Sequence, residues 1–362
     1  MDRDTERIAW VDIAKAFAVY LCIVGHVAVF EGELYHLIFS FHMPAFIILS
    51  GYTMKASSSF TVFLKKRIRS IILPYLVFNL LGILITLIFP CAHYRREDLF
   101  SAAEWLKSIK RVAGGGVLTG HLGAVWFLPA LFTGSLIAYW ILRLIRAEKL
   151  CIKISGFLLL ALLFLAAVNY ALFDIPFSIP WRIDNGLMFA FFLVCGYLLK
   201  EYRLLEERPL WLTGILALVF FVLWYFKGLR NVHVNLAGHS YGSPVNFLIG
   251  AFGGTFCLIF LSQIIARLLK ALSGLFCFVG RNTLIIFALQ IYPVKQCVYI
   301  YNQIFGTELE SQHIEGYLLP LVIGGISLVV LCFLSFAYEK IWQKLRCLRK
   351  ARSVSAGTDK AR

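Results

Sequence analysis

Charge is what this chain has least of. Only 15% of its 362 residues are Asp, Glu, Lys or Arg, and 60% are hydrophobic. A water-soluble domain averages roughly 25% charged residues. The shortfall, with a mean hydropathy of +0.79, excludes a surface that faces water throughout. Acids are scarcer than bases, 20 against 35, and the formal net charge is +15. In a soluble protein that balance suggests nucleic acid. Here the basic residues stand in short runs between apolar stretches, as they do in cytoplasmic loops beside a lipid surface. An aromatic-and-basic groove is missing, so nucleic acid is not an expected partner. The nine cysteines include no C-x-x-C and no Cys/His metal spacing. They are expected to be small membrane-core residues, with neither a disulfide framework nor a metal site. The opening residues are charged and the first apolar run is long, so no cleavable signal peptide is expected. No internal repeat or dividing linker is visible.

What the chain has is apolar length. A crossing of the hydrocarbon takes about 20 apolar residues. Candidate spans fall at 8–30, 36–54, 68–90, 122–145, 154–174, 183–200, 209–227, 245–266, 275–300 and 317–340. The expected fold is an all-α polytopic transmembrane bundle of about ten spans. Every even-numbered exit is basic: Lys55 and the Lys65–Arg69 run, then Arg143 to Lys153, Lys200 to Arg208, Arg267 with Lys270, and the tail from Lys340 to Arg352. By the positive-inside rule both termini are cytoplasmic. The segment 91–121 dissents, because it carries Arg95, Arg96, Lys107, Lys110 and Arg111 yet lands outside. Within it, 105–112 could form an interfacial helix. The expected division is a membrane domain over 1–340 and a basic, partly disordered cytoplasmic tail over 341–362.

Ionisable residues at membrane depth are costly, so each is a candidate site. The first span holds Asp12, Lys15 and His26. Lys15 and His26 are separated by 11 steps of 100°, which returns to within about 20° of one face, with a rise of about 16 Å. Asp12 lies one turn before Lys15. One face therefore carries an acid–base pair in its cytoplasmic half and an imidazole in its outer half. The plainer alternative is an interfacial Asp12–Lys15 pair snorkelling to the surface. The second span opens with Ser40-Phe41-His42-Met43-Pro44 and closes with Ser50-Gly51. Pro44 is expected to kink that helix near His42. His42 falls at about the depth of His26, where the two imidazoles could line one cavity. His42 could instead pack on a backbone carbonyl, and Ser50 and Gly51 could be a close helix contact. Trp126 marks the outer end of the fourth span, and Arg182, Asp184 and Asn185 mark the mouth of the sixth. Asp184 could simply neutralise Arg182. His233, His239 and Tyr241 lie in an outer loop without metal-ligand spacing.

These residues form a pattern. Trp10-Val11-Asp12-Ile13-Ala14-Lys15 is followed by Ile23-Val24-Gly25-His26, Phe39 to Pro44 and Leu49 to Tyr52. Phe63 to Ile68, Leu73-Pro74-Tyr75, Val125 to Phe132 and Phe278 to Leu284 come after them. In this order they resemble the membrane-bound acyltransferase 3 family, and within it the branch similar to fucose 4-O-acetylases and polysaccharide O-acetyltransferases. The resemblance implies a ten-helix enzyme of the cytoplasmic membrane. It would move an acyl group, usually acetyl, from cytosolic acyl-CoA to a hydroxyl of a cell-surface saccharide or its lipid-linked precursor. It also implies acetyl-CoA as donor substrate and no tightly bound cofactor. The family often shows Arg-x10-His in the first span. Here Lys15 takes the Arg position, keeping the charge without the guanidinium fork. Gln290 stands where relatives often carry His.

Acyl transfer needs a base for the acceptor hydroxyl, a positive group for the oxyanion and cations for the CoA phosphates. His26 is the candidate base. His42 could orient His26, bind the sugar or relay the acyl group. Asp12, Lys15, Lys65, Lys66, Arg67 and Arg69 are the candidate donor-binding set, with Asp12 orienting Lys15. Ser40, Trp126, Arg182, Asp184 and Asn282 are the candidate acceptor side. Two other classes compete. A transporter or flippase would use Asp12, Lys15 and His26 as a polar path, and matched broken helices in inverted repeats would favour it. A sensor or scaffold would need no polar stripe.

Overall fold

Backbone polar groups in hydrocarbon must be satisfied within their own segment, so apolar runs of this length fold as helices. The computed structural model describes residues 8–29, 32–56, 59–88, 102–116, 120–172, 179–206, 208–232, 234–310 and 313–358. Among them there is no named strand, only isolated bridges at Ala28–Ile314 and Asn235–Ser240. Seven helices are long and apolar enough to cross a membrane, or eight if one sharply bent pair counts as a crossing. The molecule is therefore a multi-pass helical membrane protein.

The first half runs α1 (Ala9–Gly25), α2 (Glu33–Phe39), α3 (His42–Tyr52), α4 (Phe60–Arg67), α5 (Leu73–Ile88), α6 (Ala102–Ala113) and α7 (Phe127–Ile145). A π-helical turn, Ile68–Ile72, joins α4 to α5, and a 3-10 segment, Gly120–Trp126, leads into α7. The second half runs α8 (Leu150–Leu172), α9 (Ile183–Glu201), α10 (Leu210–Leu229), α11 (Pro244–Leu268), α12 (Lys270–Arg281), α13 (Thr283–Leu289), α14 (Ile291–Phe305) and α15 (Leu318–Thr358). Helices α1, α3, α7, α9 and α11 bury most of their side chains. Helices α8 and α10 present mostly exposed apolar residues, as lipid-facing helices do.

Length and composition support fewer crossings than the roughly ten expected. The first expected span gives a helix of only 17 residues. The third opens in the π-turn and continues as α5, described as far as Ile88. The ninth, expected to be continuous over 275–300, bends by 59° between α12 and α13 and breaks again at Gln290. At the bend the Asn282 side-chain amide and its backbone N–H both donate to the Phe278 carbonyl. Pro293, three residues beyond Gln290, has no N–H to continue that ladder. The kink expected at Pro44 is also displaced. The break falls at Phe41, whose φ is −140°, and Pro44 sits in the first turn of α3, where a missing N–H costs little. The segment 105–112 is helical within α6, with Leu106 and Ile109 exposed beside Lys107 and Lys110. Residues Arg95 and Arg96, and the chain end beyond Thr358, lie outside the described residues, as does His233. The terminal helix is described as far as Thr358.

Close backbone contacts set the helix spacing. A Cβ on Gly51 of α3 would meet the Leu193 carbonyl of α9, and one on Gly196 of α9 would meet the Ile48 carbonyl of α3. The small residues let α3 and α9 touch along their backbones. Gly280 of α12 is pressed in the same way against the Asp12 carbonyl of α1.

Candidate active site

Helix α1 ends at Gly25, and His26 is its C-cap, with its N–H on the Cys22 and Ile23 carbonyls. The next turn is tied across the molecule by the Val29 N–H to the Ile314 carbonyl, 3.0 Å. His26 is half-buried. Phe39, the last residue of α2, puts its ring edge-on to His26 at 6.4 Å and to His42 at 4.8 Å. The two imidazoles therefore share one aromatic neighbour.

His42 is buried, and its Nδ1 lies 2.8 Å from the Ile38 carbonyl. A carbonyl oxygen only accepts, so Nδ1 carries the proton and donates. In the neutral ring the free lone pair then belongs to Nε2. The break between α2 and α3 makes this possible. His42 lies four residues beyond Ile38, and its side chain reaches the carbonyl that its backbone would engage in an unbroken helix.

The donor candidates divide into two groups. Asp12 and Lys15 are half-buried near the start of α1, beside Gly280. Lys65, Lys66 and Arg69 are exposed, whereas Arg67 lies 5.0 Å over the Phe63 ring. Phe63 packs on Tyr139 of α7, whose hydroxyl accepts from Arg143 Nη2 at 2.8 Å. Arg69 lies in the π-turn, a local irregularity common at functional sites. Tyr139, Arg143 and the Arg146–Glu201 pair at 3.4 Å were not among the sequence candidates. The basic exit after the fourth span was visible, but its pairing partners on α7 and α9 were not.

Of the acceptor candidates, three come together. Arg182 lies 5.8 Å over the Trp126 ring and donates to the Ala237 carbonyl at 3.2 Å. Asp184 is fully buried; it accepts from the Ile179 and Asn185 N–H groups and stands 3.3 Å from His239 Nε2. Asn185 Nδ2 donates to the Leu236 carbonyl and lies 3.2 Å from His239 Nδ1. Trp181 and Arg182 both take left-handed backbone, with φ of 62° and 53°, which is strained for side chains of this size. Asp184 thus faces His239, a partner that sequence separation concealed. Trp126, Phe127, Phe287 and Phe46 form a chain of ring contacts at 6.3, 5.4 and 5.9 Å, running from this mouth to one turn beyond His42.

Ser40 and Asn282 do not join that group. Ser40 Oγ donates to the Leu37 carbonyl and accepts from Trp224 Nε1, clamping the α2–α3 break to α10. Asn282 donates to Glu339 on α15 at 2.9 Å. It follows Gly280, which touches Asp12, and Asp12 is 14 residues, about 21 Å of helix, from His26. Asn282 thus lies toward the Asp12 end of α1. A groove of about 730 Å³ between α1, α12 and α15 is lined by apolar residues such as Phe17, Phe276 and Phe333. It offers solvation for hydrocarbon and none of this polar chemistry.

Among the described residues no group of His, Cys, Asp and Glu could hold a metal. The candidate residues thus form a pair of imidazoles about Phe39, a half-buried Lys15 near the start of α1, and a polar aromatic cluster about Arg182. A family model described as an acyltransferase domain, acyltransferase 3, matches residues 8–337, and the chain belongs to that family. No curated protein and no solved structure matches it.

Proposed function

We propose that the protein is an acyl-CoA-dependent O-acyltransferase of the cytoplasmic membrane. It moves an acetyl group to a hydroxyl of a cell-surface saccharide or its lipid-linked precursor, in the manner of the fucose O-acetylase-like branch that it resembles. The carrying observation is the placement of His26 and His42 about Phe39, with the His42 tautomer set by Ile38, in a chain of this family. Both termini are cytoplasmic, and α1, the α4–α5 unit and the α12–α14 unit each complete a crossing, giving about ten.

The donor enters from the cytosolic end. Lys65, Lys66, Arg67 and Arg69 hold the CoA phosphates, and Lys15, steadied by Asp12, draws the thioester inward. The thioester end travels about 16 Å along α1 from Lys15 to reach His26. His26 takes the proton of the acceptor hydroxyl as its oxygen attacks the thioester carbon. The tetrahedral oxyanion collapses, the C–S bond breaks, and the CoA thiolate leaves and recovers the proton from His26. His42 presents Nε2 to the acceptor and orients it. Trp126 and Arg182 form an apolar face and a cation at the outer mouth, a surface suited to a sugar ring and its hydroxyls, with Asp184 fixing the loop behind them. The family match does not favour transport, and the paired broken helices of an inverted repeat were not found in the sequence.

Glycan mass spectrometry on cells with and without the gene tests this reading. Loss of one acetyl mass from a surface saccharide, restored by the gene, supports it. Unchanged glycans, together with no transfer from labelled acetyl-CoA in membranes, would overturn it.

A further inference from the structure

Gln290 is a buried polar residue that the mechanism above does not use. Gln290 sits at the junction of α13 and α14, and its residue is wholly buried. Its Nε2 lies 3.3 Å from Cys22 Sγ. Its Oε1 is buried with no hydrogen-bond partner. An amide oxygen in that state forfeits hydration and gains nothing in return. Such groups are few in native proteins, and each calls for an explanation.

Its position supplies one. Cys22 and His26 are four residues apart on α1, hence neighbours on one face. The contact to Cys22 places the Gln290 head about one turn from His26. Three residues before Gln290, on the same helical side, Phe287 packs on Phe46 and Phe127. Phe46 lies four residues beyond His42, again one turn along its helix. The α13–α14 junction thus touches the helix of His26 at Cys22 and the helix of His42 at Phe46. Its unsatisfied acceptor lies about one helical turn from His26.

A carbonyl oxygen can bind only a donor. The reacting end of a thioester offers none, since its oxygen and sulfur are both acceptors. A saccharide offers several O–H groups. We propose that Gln290 Oε1 accepts a hydrogen bond from a hydroxyl of the saccharide acceptor and so positions it against His26. This rests on the acyltransferase reading above. Gln290 takes no proton and forms no bond to the acyl group, so it is a positioning residue. The Cys22 contact engages the other end of its amide.

The test uses the full-length protein in membranes, labelled acetyl-CoA as donor and a p-nitrophenyl fucoside as probe acceptor. Wild-type transfer must first be seen; its absence would count against the acyltransferase reading and not against Gln290. With transfer established, Gln290→Leu should raise the KM for the fucoside on the order of tenfold, the loss of one neutral hydrogen bond. The KM for acetyl-CoA and the slow hydrolysis of acetyl-CoA without acceptor should stay unchanged. Gln290→His, whose ring nitrogen also accepts, should recover part of the acceptor affinity. If Gln290→Leu does not accumulate, Gln290→Met matches the native length and is read in the same way. An unchanged fucoside KM, a change confined to acetyl-CoA, or failure of both apolar variants to accumulate would overturn the proposal.

Discussion

His239 Nε2 stands 3.3 Å from Asp184 Oδ2, tying the loop between α10 and α11 to the first turn of α9. The imidazole is held on its other side by Asn185, and Asn185 also donates to Leu236 of the same loop. Asn231 closes the loop from within, donating to the Tyr241 carbonyl and accepting from the Ser243 N–H. A left-handed His239, φ 60°, makes the turn that brings its ring inward. The loop is thus fastened to the mouth bearing Trp126 and Arg182.

This latch should weaken in acid. Burial pushes the His239 pKa below 6.5; the nearby Arg182 charge pushes the same way, and Asp184 opposes both. Tyr241 is shifted upward, by burial and then by Asp184, and stays protonated. A histidine depressed in the closed loop takes up its proton more readily once the loop opens. The closed form is therefore favoured above about pH 6.5 and loses that advantage as pH falls toward the depressed value. Hydrogen exchange over 234–243, corrected for the intrinsic rate, should show less protection at pH 5.5 than at pH 7.5. His239→Gln should flatten the difference. Equal protection at both pH values in the wild type would contradict the latch.

The α3–α9 contact predicts a packing penalty. Gly196→Ala places a methyl group on the Ile48 carbonyl, and backbone cannot retreat as a flexible side chain does. The helices must separate, at a cost of about 1–3 kcal/mol. Gly214→Ala on α10 meets nothing within 4 Å and should be neutral or slightly stabilising. Thermal unfolding in detergent should rank Gly196→Ala clearly below Gly214→Ala, and a reversed order would refute the contact.

Topology can be checked from the two ends of α10. Reporter fusions at Asn231 should read outside the cytosol and fusions at Glu206 should read inside. A cytosolic signal at Asn231 would invert the orientation given by the basic exits.

Helical class and the membrane setting were legible because they follow from apolar length, which needs no tertiary knowledge. His26 and His42 were legible as candidates, because each is an ionisable residue within an apolar run. Breaks were less so. Pro44 signalled a disturbance, yet its position could not reveal that Phe41 would carry the break or that the His42 ring would reach the Ile38 carbonyl. Asn282 was polar and within an apolar run, but only the pairing with Glu339 and the Gly280–Asp12 contact show at which end of the bundle it works. Asp184 with His239 and Gln290 with Cys22 are pairs between distant segments, and a single sequence contains no periodicity that joins them.

Charge at position 15 should matter more than side-chain shape. Lys15→Ala is expected to weaken acetyl-CoA use far more than Lys15→Arg, because the proposed role is to attract the thioester oxygen with a positive charge. Measuring KM for acetyl-CoA in membranes decides it. Normal donor kinetics in Lys15→Ala would remove Lys15 from the donor set.

The two imidazoles should separate by their response to glutamine. His42 donates from Nδ1 to Ile38, and a Gln amide can imitate that bond, so His42→Gln should keep the α2–α3 break and much of the fold. If His42 only orients the acceptor, its Gln variant should lose activity modestly, with the loss concentrated in acceptor KM. His26 has the other task in this scheme. Its replacement by Ala or Gln should cut acyl transfer on the order of 10²–10⁴-fold, the usual contribution of a positioned acid–base group. The protein should still insert and accumulate, since His26 caps α1 through its backbone N–H, which substitution leaves in place. Gln preserves hydrogen bonding but cannot take a proton near neutral pH, so it isolates proton transfer from packing. A His26→Gln protein that transfers acetyl at close to the wild-type rate, beside a His42→Gln protein that is dead, would move the base to His42 Nε2, the lone pair that the Ile38 contact leaves open.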